Sequence, residues 1–222
     1  MILYTSGGPN PRIVHMAMIE KGIFDSVDRV LLNAVDGENR KEPFLSRNPM
    51  GQSPALELDD GRFLAESVTI VEYLDERFPH PTLLGHSIED RALARMWARR
   101  ATLLLAETIP SGFRHCEGAI QFEGRGPTIP EWGEASKQQA RQNLAWFDRQ
   151  LGSKPFITGD ALTLADLMIF TFIEFANKVR QPLDPENRNL TAFMARMAKR
   201  PSATESAKML SIDRLLKKIG LA

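Results

Sequence analysis

The residue pair that suggests chemistry most directly is Glu66-Ser67, which stands just before an apolar helical pattern. A helix N-terminus offers unpaired backbone N–H groups and the positive end of the helix dipole, and both favour a carboxylate. The Glu66 carboxylate could in turn pair with an ammonium group. The two residues therefore suit a ligand that carries both charges at one end. An ordinary helix cap, in which Ser67 accepts a backbone N–H, explains them equally well.

Further candidate residues precede this pair. Ser53-Pro54 enters an extended segment, where a cis peptide bond can be used, although only about 5–6% of X-Pro bonds in folded proteins are cis. Arg40 and Lys41 could neutralise a carboxylate. A solvated run of charges with neighbouring glutamates explains these two basic residues as well.

The first third of the chain alternates between strand and helix patterns, and its clearest feature is a hairpin that turns at Asp59-Asp60-Gly61. The order of elements, β-α-β and then β-β-α, is that of a thioredoxin-like domain. The predicted elements are a strand at 2–4, a helix from 11 to about 22, a strand at 26–32, the hairpin at 55–64 and a helix from 67.

After the proline-rich segment 78–81 the strand patterns end. We therefore predict two domains, residues 1–79 and residues 87–222. The helix that begins at Thr163 is apolar nearly all round, which places it at the centre of a bundle. Thr163 and Asp166 resemble a capping box, a structural feature. The predicted helices of the second domain are 88–117, 131–152, 163–178, 187–199 and 201–217.

Composition indicates a protein of the cell interior. The 28 basic residues match 28 acidic ones, so the whole chain has no net charge that would attract nucleic acid or an anionic membrane. Its most apolar segment, 162–176, is too short to span a bilayer, which needs roughly 20 residues. The single cysteine, Cys116, excludes an internal disulfide, and four scattered histidines make no metal-binding cluster. We expect a soluble cytoplasmic protein without a metal.

Two segments carry a resemblance to a known family. The run Asn48–Leu56, followed by Asp60-Gly61 and Leu64-Ala65-Glu66-Ser67, resembles the core signature of cytosolic glutathione transferases. Gly159–Asp166 is similar to the helical-domain motif of the same family. The resemblance implies an α/β plus all-α fold, with an N-terminal thioredoxin-like domain and a C-terminal helical bundle. It also implies glutathione as co-substrate and a homodimer.

The resemblance assigns binding roles residue by residue. In the family, a cis-proline turns the preceding backbone toward the cysteinyl part of glutathione, which places Ser53 and Pro54 there. Gln52 matches the contact to the peptide part, and Glu66 with Ser67 matches the site of the γ-glutamyl end. Arg40 or Lys41 would take the glycyl carboxylate.

Catalysis by this family requires a stabilised thiolate. Lowering a thiol pKa of about 8.5 by two units takes about 2.7 kcal/mol. Most classes use a tyrosine, serine or cysteine near the first helix, whereas here Gly7 stands at the serine position and Asn10 at the cysteine position. Tyr4 lies inside a strand, and Ser6 is one place off but is still a possible donor.

Three segments, Gly8–Arg12, Pro49-x-Gly51 and Phe113-Arg114-His115, resemble an atypical fungal and bacterial class that lacks those residues. In that class an ordered water held by helical-domain residues is thought to stabilise the thiolate. We therefore predict Asn10 and His115 as catalytic, with Ser111 as a lesser candidate; a purely structural role for His115 stays open. Residues 108–122 are expected to line the electrophile pocket.

The function implied is conjugation of glutathione to a small hydrophobic electrophile, with a role in detoxification. Two alternatives stay open. One is a non-catalytic protein that binds glutathione or a partner with the same fold. The other is a glutathione-dependent reductase or isomerase, which needs the same thiolate.

Overall fold

The computed structural model describes residues 1–209 and 212–221. The sheet half, residues 1–77, contains one four-stranded mixed sheet with the strand order β2-β1-β3-β4. The hairpin turn at Asp59-Asp60-Gly61 is present as predicted, with Gly61 at a φ of 81°. The strands are β1 (Ile2–Thr5), β2 (Asp28–Leu31), β3 (Ala55–Glu57) and β4 (Phe63–Ala65).

The sheet half has three α-helices, α1 (Pro9–Glu20), α2 (Phe44–Arg47) and α3 (Ser67–Arg77). Because α1 carries the chain back across the sheet, β2 pairs parallel to β1, whereas β3 pairs antiparallel to it. The predicted strands, hairpin and two longer helices are confirmed, and the thioredoxin-like order of elements with them. The short helix α2 was not predicted.

From residue 88 onward the regular secondary-structure elements of the described chain are helices, and we call this part the helical half. Helix α7 forms its centre: it is buried on almost every side and packs against α1 and α4, as its apolar sequence predicted. The helices are α4 (Ile88–Ala101), α5 (Thr108–His115), α6 (Pro130–Leu151), α7 (Leu164–Lys178), α8 (Arg188–Met197), α9 (Pro201–Met209) and α10 (Asp213–Lys218).

Two predicted helices differ from the structure. The prediction of one helix over 201–217 was wrong, because α9 ends at Met209 and Ile212 is not helical; positions 210 and 211 lie outside the described residues. The predicted helix 88–117 is interrupted by a π-helical turn at Thr102–Ala106. Pro110 explains this interruption: it has no N–H, and its ring would clash with the carbonyl four residues earlier in a regular α-helix.

A buried arginine holds the first helix against the helical half. Arg12 of α1 forms an ion pair with Glu174 of α7. Its guanidinium also donates hydrogen bonds to Ser206 Oγ at 3.1 Å and to the Ala203 carbonyl at 3.0 Å, both on α9. These contacts fix the position of the start of α1, which lines the candidate active site described below.

His15, on the same helix, is a structural residue. Its ring packs edge-on against Phe24, and neither ring nitrogen has a hydrogen-bond partner among the described residues. Burial, together with the charge of Arg29, lowers the pKa of His15 to about 4. The ring is therefore neutral at neutral pH and lines none of the clefts described below.

We expect His15→Leu to raise the free energy of unfolding at pH 7.5 by about 1–3 kcal/mol, because two unpaired polar atoms leave the core. In the wild type, the unfolded chain protonates His15 below pH 6.5, whereas the folded chain does so only near pH 4. The wild type therefore loses stability as the pH falls through this window, and the variant lacks that loss. Urea unfolding of both proteins should show their difference widening by about 2 kcal/mol at pH 5. A constant difference would contradict this account.

Candidate active site

The first of three clefts lies where the starts of α1 and α3 face the end of α4. It has a volume of about 540 Å³, and Asn10, Glu66 and Ser67 line it together. Ser67 Oγ donates a hydrogen bond to Asn10 Oδ1 at 3.3 Å. We call this the α3 cleft. It brings together one predicted catalytic residue and two predicted binding residues.

The first turn of α3 is free to bind an anion. Ser67 is the first residue of the helix, and its hydroxyl donates to Asn10, so the alternative prediction of an ordinary serine cap is wrong. Within the described residues, the N–H groups of Ser67, Val68 and Thr69 have no partner. Three unpaired N–H groups at the positive end of an eleven-residue helix favour a carboxylate.

Glu66 precedes this turn in an unusual backbone conformation. Its φ of 66° and ψ of 118° lie in a region that residues with a Cβ rarely adopt. Such a conformation costs of order 1–3 kcal/mol and persists where the surrounding structure fixes it. The side chain is exposed and lines the α3 cleft, so its carboxylate is available to a ligand.

Ser53 offers an unpaired stretch of backbone one residue before Pro54. The Ser53–Pro54 peptide bond is cis, which confirms that prediction. Among the described residues, neither the N–H nor the C=O of Ser53 has a hydrogen-bond partner. The Ser53 hydroxyl is hydrogen-bonded to Ser6 Oγ, and the Ser6 hydroxyl also lies 3.3 Å from the Gly7 carbonyl. The single hydroxyl proton of Ser6 is therefore already used within the chain.

The second cleft, of about 360 Å³, is rich in arginine. Arg40, Gln52 and His115 line it together with two arginines of the helical half, Arg114 and Arg125. We call it the arginine cleft. Burial, and then the charges of Arg125 and Arg114, lower the pKa of Arg40, as expected for three cations that face one another.

The two predicted catalytic residues thus lie in different clefts. Asn10 lines the α3 cleft, whereas His115 lines the arginine cleft, where its Nδ1 accepts a hydrogen bond from the Ile129 N–H at 3.1 Å. Lys41 is exposed and lines neither of them. Ser111 also lies outside both, and its hydroxyl contacts side chains of α6.

The third cleft, of about 370 Å³, is mainly apolar and joins both halves of the chain; we call it the apolar cleft. Only two residues of the predicted range 108–122, Gln121 and Phe122, line it. The sequence prediction missed the contributions of the β2 end, of Arg125 and of the C-terminal helices. The apolar side chains that line this cleft are Leu31, Leu32, Ala34, Val35, Phe122, Met209, Ile212 and Leu215.

Tyr4 and Cys116 stand apart from all three clefts. The Tyr4 hydroxyl donates to Glu57 Oε2 at 2.8 Å, and burial together with this bond raises its pKa. Burial, together with a hydrogen bond to Glu134, raises the pKa of the Cys116 thiol. Neither residue can serve as the thiolate-stabilising hydroxyl or the reactive thiol of this site.

Two family models cover most of the chain. The model described as "Glutathione S-transferase, N-terminal domain" matches residues 7–77, and the corresponding C-terminal domain model matches residues 130–196. The chain belongs to the glutathione S-transferase family. The resemblance seen in the Asn48–Leu56 and Gly159–Asp166 segments is therefore confirmed.

Individual glutathione S-transferases support this placement over nearly the full length. Glutathione S-transferase 2 of Saccharomyces cerevisiae is 34% identical over 91% of this chain and 87% of its own length. The crystal structure of Gtt2 from the same yeast superimposes with a TM-score of 0.87 at 33% identity, covering 93% of this chain and all of that one. A glutathione S-transferase domain-containing protein of Marinobacter aquaeolei gives a TM-score of 0.86 at 34% identity, covering 91% of this chain and all of that one.

The glutathione S-transferase fold is thus shown for the described residues. Within them, no helix is both long enough and apolar enough to cross a membrane.

Proposed function

We propose that this chain is an enzyme that joins the thiolate of glutathione to a hydrophobic electrophile. The observation that carries the proposal is the α3 cleft, where a free helix N-terminus, the Glu66 carboxylate and the Asn10 amide meet. A ligand with a carboxylate and an ammonium at one end and a thiol further along fits these three groups. Glutathione has this arrangement.

Glutathione would bind along three contacts. Its γ-glutamyl carboxylate accepts from the N–H groups at the start of α3, and its ammonium pairs with Glu66. Its cysteinyl part pairs with the unsatisfied backbone of Ser53, beside Pro54. Its glycyl carboxylate reaches Arg40 and Gln52 in the arginine cleft. Lys41 does not line that cleft, so we assign the glycyl carboxylate to Arg40.

We further propose the atypical mode of thiolate stabilisation, without tyrosine, serine or cysteine. Because Pro9 and Pro11 have no N–H, the donors at the start of α1 that lack a partner among the described residues are the N–H groups of Gly8 and Asn10. Asn10 Oδ1 accepts from Ser67, which leaves the Asn10 Nδ2 group as a further donor. Hydrogen bonds to a charged group contribute about 1.5–3 kcal/mol each, so two of them suffice for a two-unit fall in the thiol pKa.

His115 has a different part in this proposal. Its Nδ1 accepts the Ile129 N–H, so a neutral ring carries its proton on Nε2 and can hold a water at the edge of the arginine cleft. The thiolate then attacks the electrophilic carbon and forms the S–C bond. A displaced leaving group departs with its bonding electron pair, so no redox partner is required.

Initial rates with glutathione and an aryl halide test this function. We expect Asn10→Ala to lower kcat about 5-fold at pH 6.5, because it removes a hydrogen bond to the charged thiolate and so raises the pKa of the bound thiol by about one unit, and to change glutathione affinity less. Ser111→Ala is the control, and we expect the wild-type rate. An unchanged kcat in Asn10→Ala would contradict the assignment. Glutathione binding without turnover of any electrophile would favour the non-catalytic alternative.

The chain as a dimer is also a proposal. Leu93, Met96 and Leu103 are exposed at helical spacing along α4 and the π-helical turn that follows it, and this apolar stripe would be covered by a second copy of the chain. The domain limits, 1–79 and 87–222, are supported by the gap between Arg77 and Ile88, where α3 ends and α4 begins. A cytoplasmic location and a role in detoxification stay predictions.

A further inference from the structure

The arginine cleft contains more positive charge than glutathione can neutralise. Arg40 comes from the sheet half, and Arg114 and Arg125 come from the helical half. No aspartate or glutamate lines the cleft, and none of the three arginines forms an ion pair with any described residue. Three facing cations without a counter-ion indicate that anions bind there.

Glutathione accounts for only one of these charges. Its glycyl carboxylate is the single anionic group at that end of the tripeptide. Arg40 lies with Gln52 on the sheet half, and its guanidinium is anchored by a hydrogen bond to the Met50 carbonyl at 2.8 Å. Two arginines of the helical half are left without an anion.

Those two arginines are held beside the apolar cleft. The guanidinium carbons of Arg114 and Arg125 lie 4.9 and 5.4 Å from the centre of the Phe122 ring. Phe122 and Arg125 line the arginine cleft and the apolar cleft alike, so the two clefts meet at these side chains. A molecule whose apolar body fills the apolar cleft can therefore reach the guanidinium groups with a polar end.

We propose that the electrophile is an amphipathic anion, an apolar or aromatic body with a carboxylate that binds Arg114 and Arg125. This inference rests on the proposed function, because it names the class of the second substrate. Guanidinium groups match carboxylates in geometry and form charge-assisted hydrogen bonds with them. The two arginines act as specificity-determining residues for that substrate.

A matched pair of electrophiles tests the inference: 4-chloro-3-nitrobenzoate and 4-chloro-3-nitrobenzamide, each corrected for its uncatalysed rate with glutathione. We expect kcat/KM to favour the carboxylate about 10-fold or more. Arg114→Gln and Arg125→Gln should each lower kcat/KM for the carboxylate about 10-fold. In both variants, kcat/KM for the amide and the KM for glutathione should stay within about twofold of the wild-type values. Arg149→Gln, an exposed arginine on α6, is the control and should match the wild type.

Two further outcomes separate this inference from the function on which it rests. If the two arginine variants lost kcat/KM equally for both electrophiles, or changed only the KM for glutathione, the inference would be overturned and the transferase function would still stand. No turnover of either electrophile would count against the function. Calorimetric binding of unreactive 3-nitrobenzoate and 3-nitrobenzamide would then still decide the inference. It requires the carboxylate to bind more tightly than the amide in the wild type, and this preference to be lost when either arginine is replaced.

Discussion

Glu66→Ala is expected to weaken glutathione binding about 100-fold in a calorimetric titration. The substitution removes the carboxylate that we pair with the ammonium of glutathione, so the ammonium is left without a partner. Charge-assisted pairs of this kind contribute up to about 3 kcal/mol to binding. Ser67→Ala should weaken glutathione binding only a few-fold. Ser67 binds the ligand carboxylate through its backbone N–H, which the variant keeps, and its hydroxyl only orients Asn10.

Two further variants separate charge from backbone effects. Glu66→Gln keeps the shape of the side chain and should lose most of the affinity, whereas Glu76→Gln on the same helix, outside the cleft, should lose none. Glu66→Gly should lose the affinity but gain about 1 kcal/mol of stability, because glycine adopts a φ of 66° without strain. Wild-type affinity in all of the Glu66 variants would rule out the proposed γ-glutamyl site.

Asp166→Ala is expected to lower the free energy of unfolding by about 4 kcal/mol at pH 7.5. The Asp166 carboxylate is fully buried and accepts three hydrogen bonds, from the Ile157 N–H at 2.8 Å, the Thr163 N–H at 2.8 Å and Thr163 Oγ1 at 2.7 Å. Each donor left unsatisfied in the core costs about 1–3 kcal/mol. Burial raises the pKa of this carboxyl to about 6, so it is ionised under these conditions.

The chain offers a matched control for this prediction. Ser87 and Asp90 form the same type of capping box at the start of α4, where both residues are exposed. Asp90→Ala should therefore cost only about 1 kcal/mol in urea unfolding, because water replaces the lost partner. Equal costs at the two caps would show that burial of Asp166 does not matter. Glutathione affinity of the folded Asp166→Ala protein should stay unchanged.

Much of this architecture could be predicted from local sequence. The hairpin follows from Asp59-Asp60-Gly61 between two alternating segments, and the buried cap follows from Thr163 and Asp166. The cis bond before Pro54 came from the family resemblance, because the local sequence favours trans.

The apolar cleft could not be predicted in the same way. Ile212 and Leu215 line one cleft with Leu31 and Val35 only because the C-terminal helices fold back over the sheet half, and no periodic pattern encodes a proximity between residues so far apart along the chain. Arg125 lies in a segment rich in glycine and proline, which has no periodicity from which the position of a side chain could be predicted.

The division of Asn10 and His115 between two clefts has a similar cause. Alignment with a family motif fixes where a residue lies along the chain, but the cleft that it faces depends on how the helices pack. Asn10 faces the α3 cleft because Arg12 holds the start of α1 against α7 and α9. His115, at the end of α5, is held by the Ile129 N–H beside the arginine cleft.

The most direct test of the central claim is the pKa of the glutathione thiol when it is bound, measured from the ultraviolet absorbance of the thiolate over a pH titration. A free thiol of this kind titrates near 8.5. We expect the bound thiol to titrate about two units lower, and Asn10→Ala to return its pKa about half-way toward the free value. A bound thiol that titrates like free glutathione would contradict the account and leave a glutathione-binding protein without this catalysis.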